Sequence, residues 1–336
     1  MEVSMRKVKV IQMGIGTVGK AVTKSLVKKK GMEVVGALDL DSGKVGKDLG
    51  EVAELNTKLN IVVTDDADAL FSETFADVVI HAVDVHLHEI YPQIIKPIQQ
   101  GINVISASEA LGNPYVSEPA YAAKLEKLAK THGVTVLGTG LSPGFCSDYL
   151  ILALTAACSD VEKITYLRRG NARPYMKGTV GRHFGLGLSA EEFKRGVEEG
   201  VIIGHIGFME SLQTIVDRFG WDLDTVQRRV EPVHNSQGQF VSTKTSVWGT
   251  KGGEVKIALE LEAFIDPDME TMDSITIEGV PPINLVIKPC IGSIQATANA
   301  LINSIPHVIN AKPGLLTPGD LPLVFALEND VRMFLK

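Results

Sequence analysis

The sequence predicts an α/β protein: a Rossmann-type, doubly wound parallel sheet plus a second, α+β domain with a mostly antiparallel sheet. Two observations support this prediction. Short continuous apolar runs alternate with amphipathic helical segments over about the first 150 residues, and longer alternating runs follow. Buried parallel strands are near-continuous apolar runs, whereas strands with one wet face alternate between apolar and polar residues.

Strand and helix signals alternate in the N-terminal part of the chain. We predict strands at 8–13, 34–38, 76–82, 103–106 and 134–137, and helices at 17–30, 90–100 and 120–131. Parallel strands need long crossover connections, which helices of this length supply. These elements predict one parallel sheet that is covered by helices on both faces.

The pattern changes after about residue 148. Ser189 and Glu192 have the spacing of a helix capping box, and Lys251-Gly252-Gly253 has the composition of a turn between strands. We predict strands at 163–168, 241–248, 254–265, 275–278 and 284–288, helices starting after 189, at 211–219 and at 293–305, and a loop at 170–187. The last helix should stop at Pro306. We therefore expect a dinucleotide-binding domain over 1–147, to which 293–336 returns, and a second domain over 148–292.

Composition excludes several classes of protein. The 336 residues carry a formal net charge of −7, whereas a protein that binds nucleic acid needs a basic face for the phosphates. No apolar stretch reaches the roughly 20 residues of a membrane span, so we expect no membrane partner. Cys146, Cys158 and Cys290 form no CxxC pair. We therefore expect no disulfide framework, no metal site and a reducing, cytoplasmic location.

The GxGxxG fingerprint of dinucleotide-binding domains is present at residues 14–19, as GIGTVG. It follows a predicted strand and opens a predicted helix, and Asp39 ends the next strand at the spacing that the fingerprint requires. Gly14 would allow the tight turn, Gly16 would let the backbone approach a diphosphate, and Gly19 would let the helix pack closely. The alternative is a glycine-rich turn that binds nothing.

The residues around this turn leave the choice between NAD and NADP open. Asp39 would accept hydrogen bonds from the adenosine ribose, and with Asp41 it would repel a 2′-phosphate, which favours NAD. Lys44 and Lys47 are close enough in sequence to offset these acids. The expected cofactor-binding set also contains Thr17, Val18, Ala82 and Ser106.

Glu109 is the candidate catalytic residue. It follows the predicted strand 103–106, and doubly wound sheets bind ligands beyond the carboxyl ends of their strands. A carboxylate there can take a proton from a substrate amine or activate water, provided that burial raises its pKa. The alternative is an acid that only stabilises the first turn of a helix. The Gly/Pro-rich stretch 138–145 is suited to close backbone contact with a ligand, or to an interdomain link.

Several motifs resemble known families. The N-terminal half is similar to the dihydrodipicolinate reductase N-terminal family through residues 14–19, 37–39 and 46–51. The whole chain resembles the 2,4-diaminopentanoate dehydrogenases and the related native amine dehydrogenases. The matching motifs lie at 104–109 (VISASE), 138–145, 185–189, 204–207, 303–306, 313–317 and 320–322.

This resemblance implies NAD(P)-dependent oxidative deamination of a small amine or diamino acid by a homodimer. Residues 148–292 would bind the substrate and form the dimer through their sheet, and Glu109 would exchange protons with the amine. Arg168 would anchor a substrate carboxylate bidentately. The implied substrate pocket consists of Ser142, Arg168, Tyr175, His205 and Thr297. The chain departs from the family pattern at Ser142, where Asn is usual, and in the stretch around Glu109.

Other functions remain open at this point. One is a reductase of a cyclic imine or a C=C bond, which would release no ammonia. A second is a sensor that binds NAD(P) without chemistry. A third, a dehydrogenase of alcohols or aldehydes, is disfavoured because the sequence has no catalytic Tyr-xxx-Lys and no Cys nucleophile beside a His.

Overall fold

A computed structural model of the chain describes residues 6–83, 86–173, 179–234, 240–266 and 268–336. The chain forms two compact units. Unit 1 comprises Met1–Phe145 and Ser293–Lys336, and unit 2 comprises Cys146–Gly292. Unit 1 is therefore assembled from two stretches of chain that unit 2 separates in sequence.

Strands and helices alternate along unit 1. Its strands are β1 (Val8–Met13), β2 (Met32–Leu38), β3 (Val63–Thr64), β4 (Val78–His81), β5 (Asn103–Ser106), β6 (Thr135–Gly138) and, after unit 2, β13 (Gly314–Leu316). Its helices are α1 (Thr17–Leu26), α2 (Leu49–Val52), α3 (Ala67–Glu73), α4 (Leu87–Gln99), α5 (Pro114–Ser117), α6 (Pro119–His132), α11 (Ser293–Asn303) and α12 (Ile305–Asn310).

Within the described residues, the strands of unit 1 form one parallel sheet in the order β13-β6-β5-β4-β1-β2-β3. Helices cover both faces of this sheet. On one face Val10 belongs to the same buried cluster as Val22 of α1 and Leu301 of α11. On the other face Val104 belongs to a cluster with Ile94 of α4. Full burial of one such aliphatic side chain stabilises the fold by roughly 1.5–3 kcal/mol.

The ends of α6 show how local sequence sets the elements. Pro119 occupies the first turn, where its missing N–H is not needed. Gly133 ends the helix in the left-handed conformation, at φ +69°, and its N–H donates to the carbonyl oxygens of the last turn. The predicted helix at 120–131 is therefore confirmed to within one residue at each end.

Unit 2 is built around a second sheet. Its strands are β7 (Asp160–Asn171), β8 (Thr225–His234), β9 (Phe240–Lys251), β10 (Glu254–Phe264), β11 (Met272–Val280) and β12 (Ile283–Ile287). In its described part the order is β12-β11-β7-β10-β9-β8, and only the pair β7–β10 is parallel. Its helices are α7 (Tyr149–Thr155), α8 (Thr179–His183), α9 (Ala190–Glu198) and α10 (Phe208–Phe219).

The predicted fold class is confirmed, and some elements differ from the prediction. The capping box at Ser189 is present. The loop expected at 170–187 is wrong in part, because β7 continues to Asn171 beside β10 and α8 lies within the stretch. β8 was not predicted, because its N-terminal half is polar and exposed. Pro306 follows the end of α11 but lies in the first turn of α12. Among the described residues, no helix is long and apolar enough to cross a membrane.

Candidate active site

The carboxyl ends of the parallel strands of unit 1 lie along one edge of its sheet. The chain runs outward from β1 to β2 and β3 and then crosses to β4, on the other side of β1. Such a reversal of strand order creates a crevice in which doubly wound proteins bind ligands. The segments that follow β1, β2, β4, β5 and β6 at this edge contain the predicted cofactor residues, Glu109 and Ser142.

Gly14 and Gly19 are required by close packing of the turn itself. Gly14 has φ +80°, and a Cβ on it would lie 2.4 Å from the carbonyl oxygen of Ala82. A Cβ on Gly19 would lie 1.9 Å from the carbonyl oxygen of Gly14. The buried Gln12 holds this same carbonyl, because its Nε2 donates to it at 2.8 Å. The protein's own contacts therefore shape the turn.

Gly16 differs from both, because no protein atom fills the space beside it. A Cβ on Gly16 would meet nothing within 4 Å. Gly16 and Thr17 line a cavity of about 600 Å³ that also reaches Lys20, Lys24 and Lys44. Helix N-termini offer N–H groups to phosphates. Glu54 also lines the cavity and pairs with Lys20 and Lys24, so these two lysines add little net charge. Gly16 and the first turn of α1, formed by Thr17, Val18 and Gly19, fit the diphosphate of a dinucleotide.

Asp39 follows β2 and is tied to the glycine-rich turn. Its Oδ2 accepts hydrogen bonds from the backbone N–H of Ile15 at 2.7 Å and from Nζ of Lys44 at 3.0 Å. Its Oδ1 accepts one from the N–H of Asp41 at 3.0 Å. Burial opposes ionisation of this carboxyl, but the backbone donors and Lys44 lower the pKa of Asp39 below its usual value. The carboxylate is therefore charged and fixes the turn.

Glu109 is half-buried and is the first residue of a three-residue 3₁₀ helix after β5. Gly138, at the end of β6, packs so closely on this helix that a Cβ would lie 2.2 Å from the carbonyl oxygen of Leu111. A Cβ on Gly112 would lie 2.7 Å from the ring of Pro143. The backbone of Glu109 is thus held between β6 and the loop that follows it.

Ala82 and Ser106 lie at the same edge in different surroundings. The carbonyl of Ala82 faces Gly14, as the packing of that glycine shows. Ser106 is completely buried. Its hydroxyl lies 2.9 Å from Nδ1 of His81 and accepts a hydrogen bond from the N–H of Ser108 at 3.0 Å. Ala82 therefore contacts the turn, whereas the hydroxyl of Ser106 is engaged within the protein.

The loop after β6 connects the surroundings of Glu109 to α11. The backbone N–H of Leu141 donates to Oγ1 of Thr297 at 3.2 Å. Ser142 is half-buried in the same loop, and Gly144 has φ +129° and packs against Gly140. Within unit 1, Thr297 therefore binds the residue that precedes Ser142.

Arg168 is buried in unit 2, where its guanidinium is held by protein groups. Nη1 donates to Oδ1 of Asp273 at 2.7 Å, and Nη2 donates to the carbonyl oxygen of Ile291 at 2.6 Å. Asp273 also accepts hydrogen bonds from the hydroxyl of Tyr166 at 2.9 Å and from the N–H of Ile291 at 2.8 Å. The charge of Arg168 is therefore balanced inside the protein.

His205 lies in the same unit, just before α10. Its ring packs edge-on against Phe208, with 4.4 Å between the ring centroids. Burial, together with the positive charges of Arg168 and Arg228, lowers the pKa of His205 to about 3. The imidazole is therefore neutral near pH 7, with one donor and one acceptor nitrogen. Tyr175, the remaining predicted pocket residue, lies outside the described residues.

Both halves of the chain match known families. Residues 8–108 match the N-terminal part of dihydrodipicolinate reductase, and residues 145–336 match the 2,4-diaminopentanoate dehydrogenase C-terminal domain. A protein named 2,4-diaminopentanoate dehydrogenase, from Acetoanaerobium sticklandii, is 34% identical over 348 residues, which cover 98% of this chain and 97% of that protein. The chain belongs to the 2,4-diaminopentanoate dehydrogenase family. The resemblance that its motifs predicted is thereby confirmed.

Solved structures related to this family share the fold. The amine dehydrogenase from Mycobacterium smegmatis superposes with a TM-score of 0.83 at 24% identity, over 95% of this chain and 97% of that one. The dihydrodipicolinate reductase from Paenisporosarcina sp. TG-14 superposes with a TM-score of 0.52 at 14% identity, over 93% and 97%. The match of the N-terminal half and the dehydrogenase relatives together imply a nicotinamide cofactor.

The sequence alone assigned no role to two buried residues, Gln12 and Asp273. Gln12 supports the glycine-rich turn, and Asp273 neutralises Arg168. For Gln12 the available signal was a polar side chain within a largely apolar strand, whereas Asp273 precedes the strand predicted at 275–278 and gave no such signal. Such a side chain must find partners inside the fold, because burying it without hydrogen bonds is unfavourable. The identity of those partners depends on residues far away in sequence.

Proposed function

We propose that this chain catalyses the reversible, NAD(P)-dependent oxidative deamination of a small amine or a diamino acid similar to 2,4-diaminopentanoate, giving a ketone and ammonia. The observation that supports this most is the arrangement of unit 1. The half-buried Glu109 follows β5, which is two strands from the glycine-rich turn after β1. Membership of the family supplies the reaction class.

In this proposal unit 1 binds the cofactor. The first-turn amides of α1 would hold the diphosphate beside Gly16, and Asp39 would accept hydrogen bonds from the ribose. When bound, the nicotinamide ring supplies the acceptor for a hydride from the amine-bearing carbon. The fixed turn orients the dinucleotide along the carboxyl edge, on which Glu109 lies.

Glu109 carries the proton steps of the proposed reaction. Its carboxylate takes a proton from the substrate ammonium, and the neutral amine can then lose its hydride and become an iminium. After Glu109 releases this proton to solvent, it takes a second one from the water that adds to the iminium carbon. Glu109 gives this proton to the nitrogen, and the C–N bond breaks. Ammonia leaves as the hydroxyl loses its proton to Glu109 and the ketone forms. A positioned general base contributes about 10²–10⁴-fold to such steps.

Two polar residues of unit 1 are proposed to position the substrate near Glu109. Ser142 belongs to the loop whose Pro143 packs on Gly112, next to the helix of Glu109, and Thr297 accepts a hydrogen bond from that loop. These positions support a role in positioning the amine. His205 would act as a neutral hydrogen-bonding group. Arg168 already donates from both terminal nitrogens to protein groups. Bidentate binding of a substrate carboxylate would require those bonds to open.

For the cofactor itself, we propose that the chain accepts both NAD and NADP. Nζ of Lys44 lies 3.0 Å from the carboxylate of Asp39 and 3.4 Å from that of Asp41, and Lys44 lines the cavity beside Gly16. It partly neutralises the two acids that would repel a 2′-phosphate. We expect Lys44→Ala to raise KM for NADP roughly tenfold, the loss of one charge-assisted hydrogen bond, and to change KM for NAD little. An equal rise for both cofactors would contradict this role.

The decisive test is spectrophotometric. NADH or NADPH should form when the protein is mixed with 2,4-diaminopentanoate or with short amines, and ammonia should form in equal amount. Glu109→Gln should still bind the cofactor but lose turnover by at least about 10²-fold. Glu89→Gln is the matched control, because Glu89 is an exposed acid in the first turn of α4. No reduced cofactor with any amine would refute the proposal, and an active Glu109→Gln would exclude Glu109 as the base.

A reductase of cyclic imines or C=C bonds is the alternative supported by an observation, the match of residues 8–108 to dihydrodipicolinate reductase. The two functions differ in their need for ammonia. If the chain deaminates amines, the reverse reaction with a ketone should require ammonia. Reduction of a cyclic imine without ammonia would favour the alternative.

A cytoplasmic homodimer is also part of the proposal. The second half of the chain matches the C-terminal domain of the family, and the first half of β8 is exposed on unit 2. We propose that the sheet of unit 2 forms the contact between two copies. Size-exclusion chromatography with light scattering should give twice the chain mass of 36.2 kDa. A monomeric mass at micromolar concentration would contradict the dimer.

A further inference from the structure

A buried pair of polar side chains lies beneath Glu109. His81 is the last residue of β4 and Ser106 the last of β5, and both side chains are completely buried. Their strands are adjacent and in register, so His81 pairs directly with Ser106. Neither residue has a part in the proton steps proposed for Glu109.

The hydroxyl of Ser106 links the two strand ends to the start of the Glu109 helix. Nδ1 of His81 lies 2.9 Å from Oγ of Ser106. The same Oγ accepts a hydrogen bond from the backbone N–H of Ser108 at 3.0 Å. Ser108 is the residue that precedes the 3₁₀ helix beginning at Glu109. The chain of contacts therefore runs from β4, through the Ser106 hydroxyl, to the residue next to Glu109.

Backbone bonds fix the same segment on both of its sides. The N–H of Ala107 donates to the carbonyl of His81 at 2.9 Å, and the N–H of Thr139 donates to the carbonyl of Ser106 at 3.0 Å. The Ser106 side chain adds a bond that the strand ladder cannot supply, because Ser108 lies beyond the end of β5. An apolar pair would fill this space without a desolvation penalty, but it would leave the N–H of Ser108 without this acceptor.

We propose that His81 and Ser106 are positioning residues that hold the 3₁₀ helix so that the Glu109 carboxylate lies where the amine reacts. The inference rests on the proposed function. It assigns Ser106 a role through Ser108, in place of the direct cofactor contact expected from the sequence. A displacement of about 1 Å in a reacting group can lower a rate by about 10²-fold, so a small shift of this helix would reduce turnover strongly.

The test compares kcat with binding. Ser106→Ala should lower kcat about 10- to 100-fold, while KM for the amine and the cofactor Kd, measured by calorimetry, change less than about threefold. His81→Leu should have the same effect. His81→Asn retains a nitrogen near the position of Nδ1 and should recover most of kcat. The double variant Ser106→Ala/His81→Leu should lose no more than the worse single variant, because both act through one contact.

Ser304→Ala is the matched control. Ser304 is a buried serine of unit 1 whose hydroxyl donates to the carbonyl of Ala300 at 2.8 Å, at the end of α11. It should keep the wild-type kcat. If Ser106→Ala also keeps it, or if cofactor Kd rises in parallel with the loss of kcat, the positioning role is wrong. Multiplicative losses in the double variant would also overturn it.

A second readout needs no turnover. Amide hydrogen exchange in a peptide that contains residues 106–112 should accelerate in Ser106→Ala and stay unchanged in Ser304→Ala. No acceleration would overturn the inference, even if His81→Leu failed to fold. Failure of the proposed function can be told apart from failure of this inference. A wild-type protein that oxidises no amine refutes the proposed function. An inactive Glu109→Gln together with a fully active Ser106→Ala refutes only the positioning role.

Discussion

Each unit contains an aspartate that binds a basic side chain and a backbone N–H, but the two pairs differ in burial. In unit 1, Asp39 binds Lys44 and the N–H of Ile15, and the two side chains remain 10% and 24% exposed. In unit 2, Asp273 and Arg168 remain 2% and 6% exposed. Lys44 of the first pair lines a cavity, whereas the second pair is enclosed by protein.

The difference indicates which charges a ligand can use. Water screens a partly exposed pair, so Lys44 can exchange one anion for another at small cost. In unit 2 folding removes both charged side chains from water, so the charge of each is compensated by that of the other. The pair in unit 1 is therefore suited to recognition, and the pair in unit 2 to holding β7 and β11 together.

Breaking the buried pair should have the largest effect. Arg168→Met should lower the free energy of unfolding by about 3–5 kcal/mol, because it leaves Asp273 charged and without its cation. Arg168→Met/Asp273→Asn should restore much of this loss, because Asn carries no charge and keeps an acceptor oxygen for Tyr166 or Ile291. Urea denaturation monitored by circular dichroism measures both. A single variant within about 1 kcal/mol of wild type would show that the pair does not hold unit 2 together.

Acid should lower the stability of the protein through His205 of unit 2. Its pKa is lowered to about 3 in the folded protein, whereas an unfolded histidine titrates near 6.5. Only the unfolded state takes up this proton as the pH falls from about 6.5 toward 3, so stability is lost in that window. Between pH 7 and pH 5 the loss should be about 2 kcal/mol, and His205→Gln should remove it. Replacement of the exposed His132 by Gln should leave this acid-induced loss of stability unchanged. Equal acid sensitivity of wild type and His205→Gln would contradict the low pKa.

The open space beside Gly16 predicts that a substitution there weakens cofactor binding and does not change stability. This effect should be smaller than the loss of stability in acid. Gly16→Ala should weaken the cofactor Kd about tenfold, or about 1.4 kcal/mol, and leave the stability of the cofactor-free protein unchanged. Gly14→Ala should instead destabilise the fold, because its Cβ would collide with the carbonyl of Ala82. Calorimetric titration and thermal unfolding separate the two results. Loss of stability in Gly16→Ala would show that the space is structural.

Breaking the partly exposed pair of unit 1 should have the smallest effect. Lys44→Met should change the free energy of unfolding by less than about 1 kcal/mol, as is usual for ion pairs near the surface. Denaturation at low and high salt measures it, and the difference between the two should be small. A loss as large as that expected for Arg168→Met would mean that the two pairs are energetically alike.

Local patterns predicted most of the fold. The glycine-rich turn, the capping box at Ser189 and the helix that ends at Gly133 each depend on residues a few positions apart. β8 was not predicted, because its N-terminal half is polar and exposed. Its strand conformation depends on pairing with β9. A strand of this kind is specified by its neighbour and not by its own periodicity.

The positions of the candidate residues at one edge of the sheet could be predicted from the sequence, but their contacts could not. Gly14, Asp39 and Glu109 follow from spacing along strands that end at one edge. Arg168 could not be recognised as part of an ion pair, because Asp273 is 105 residues away. A buried charge finds its partner only once the sheet has formed, and single-sequence patterns carry no information on that pairing.

The division of unit 1 by unit 2 has a consequence for synthesis. Val22 and Leu26 of α1 are covered by Leu301 and Ile302 of α11, and α11 is translated only after the roughly 150 residues of unit 2. At 5–20 residues per second, the ribosome needs on the order of 10–30 s to bridge that gap. During this interval Val22 and Leu26 lack the cover that α11 gives them in the folded protein.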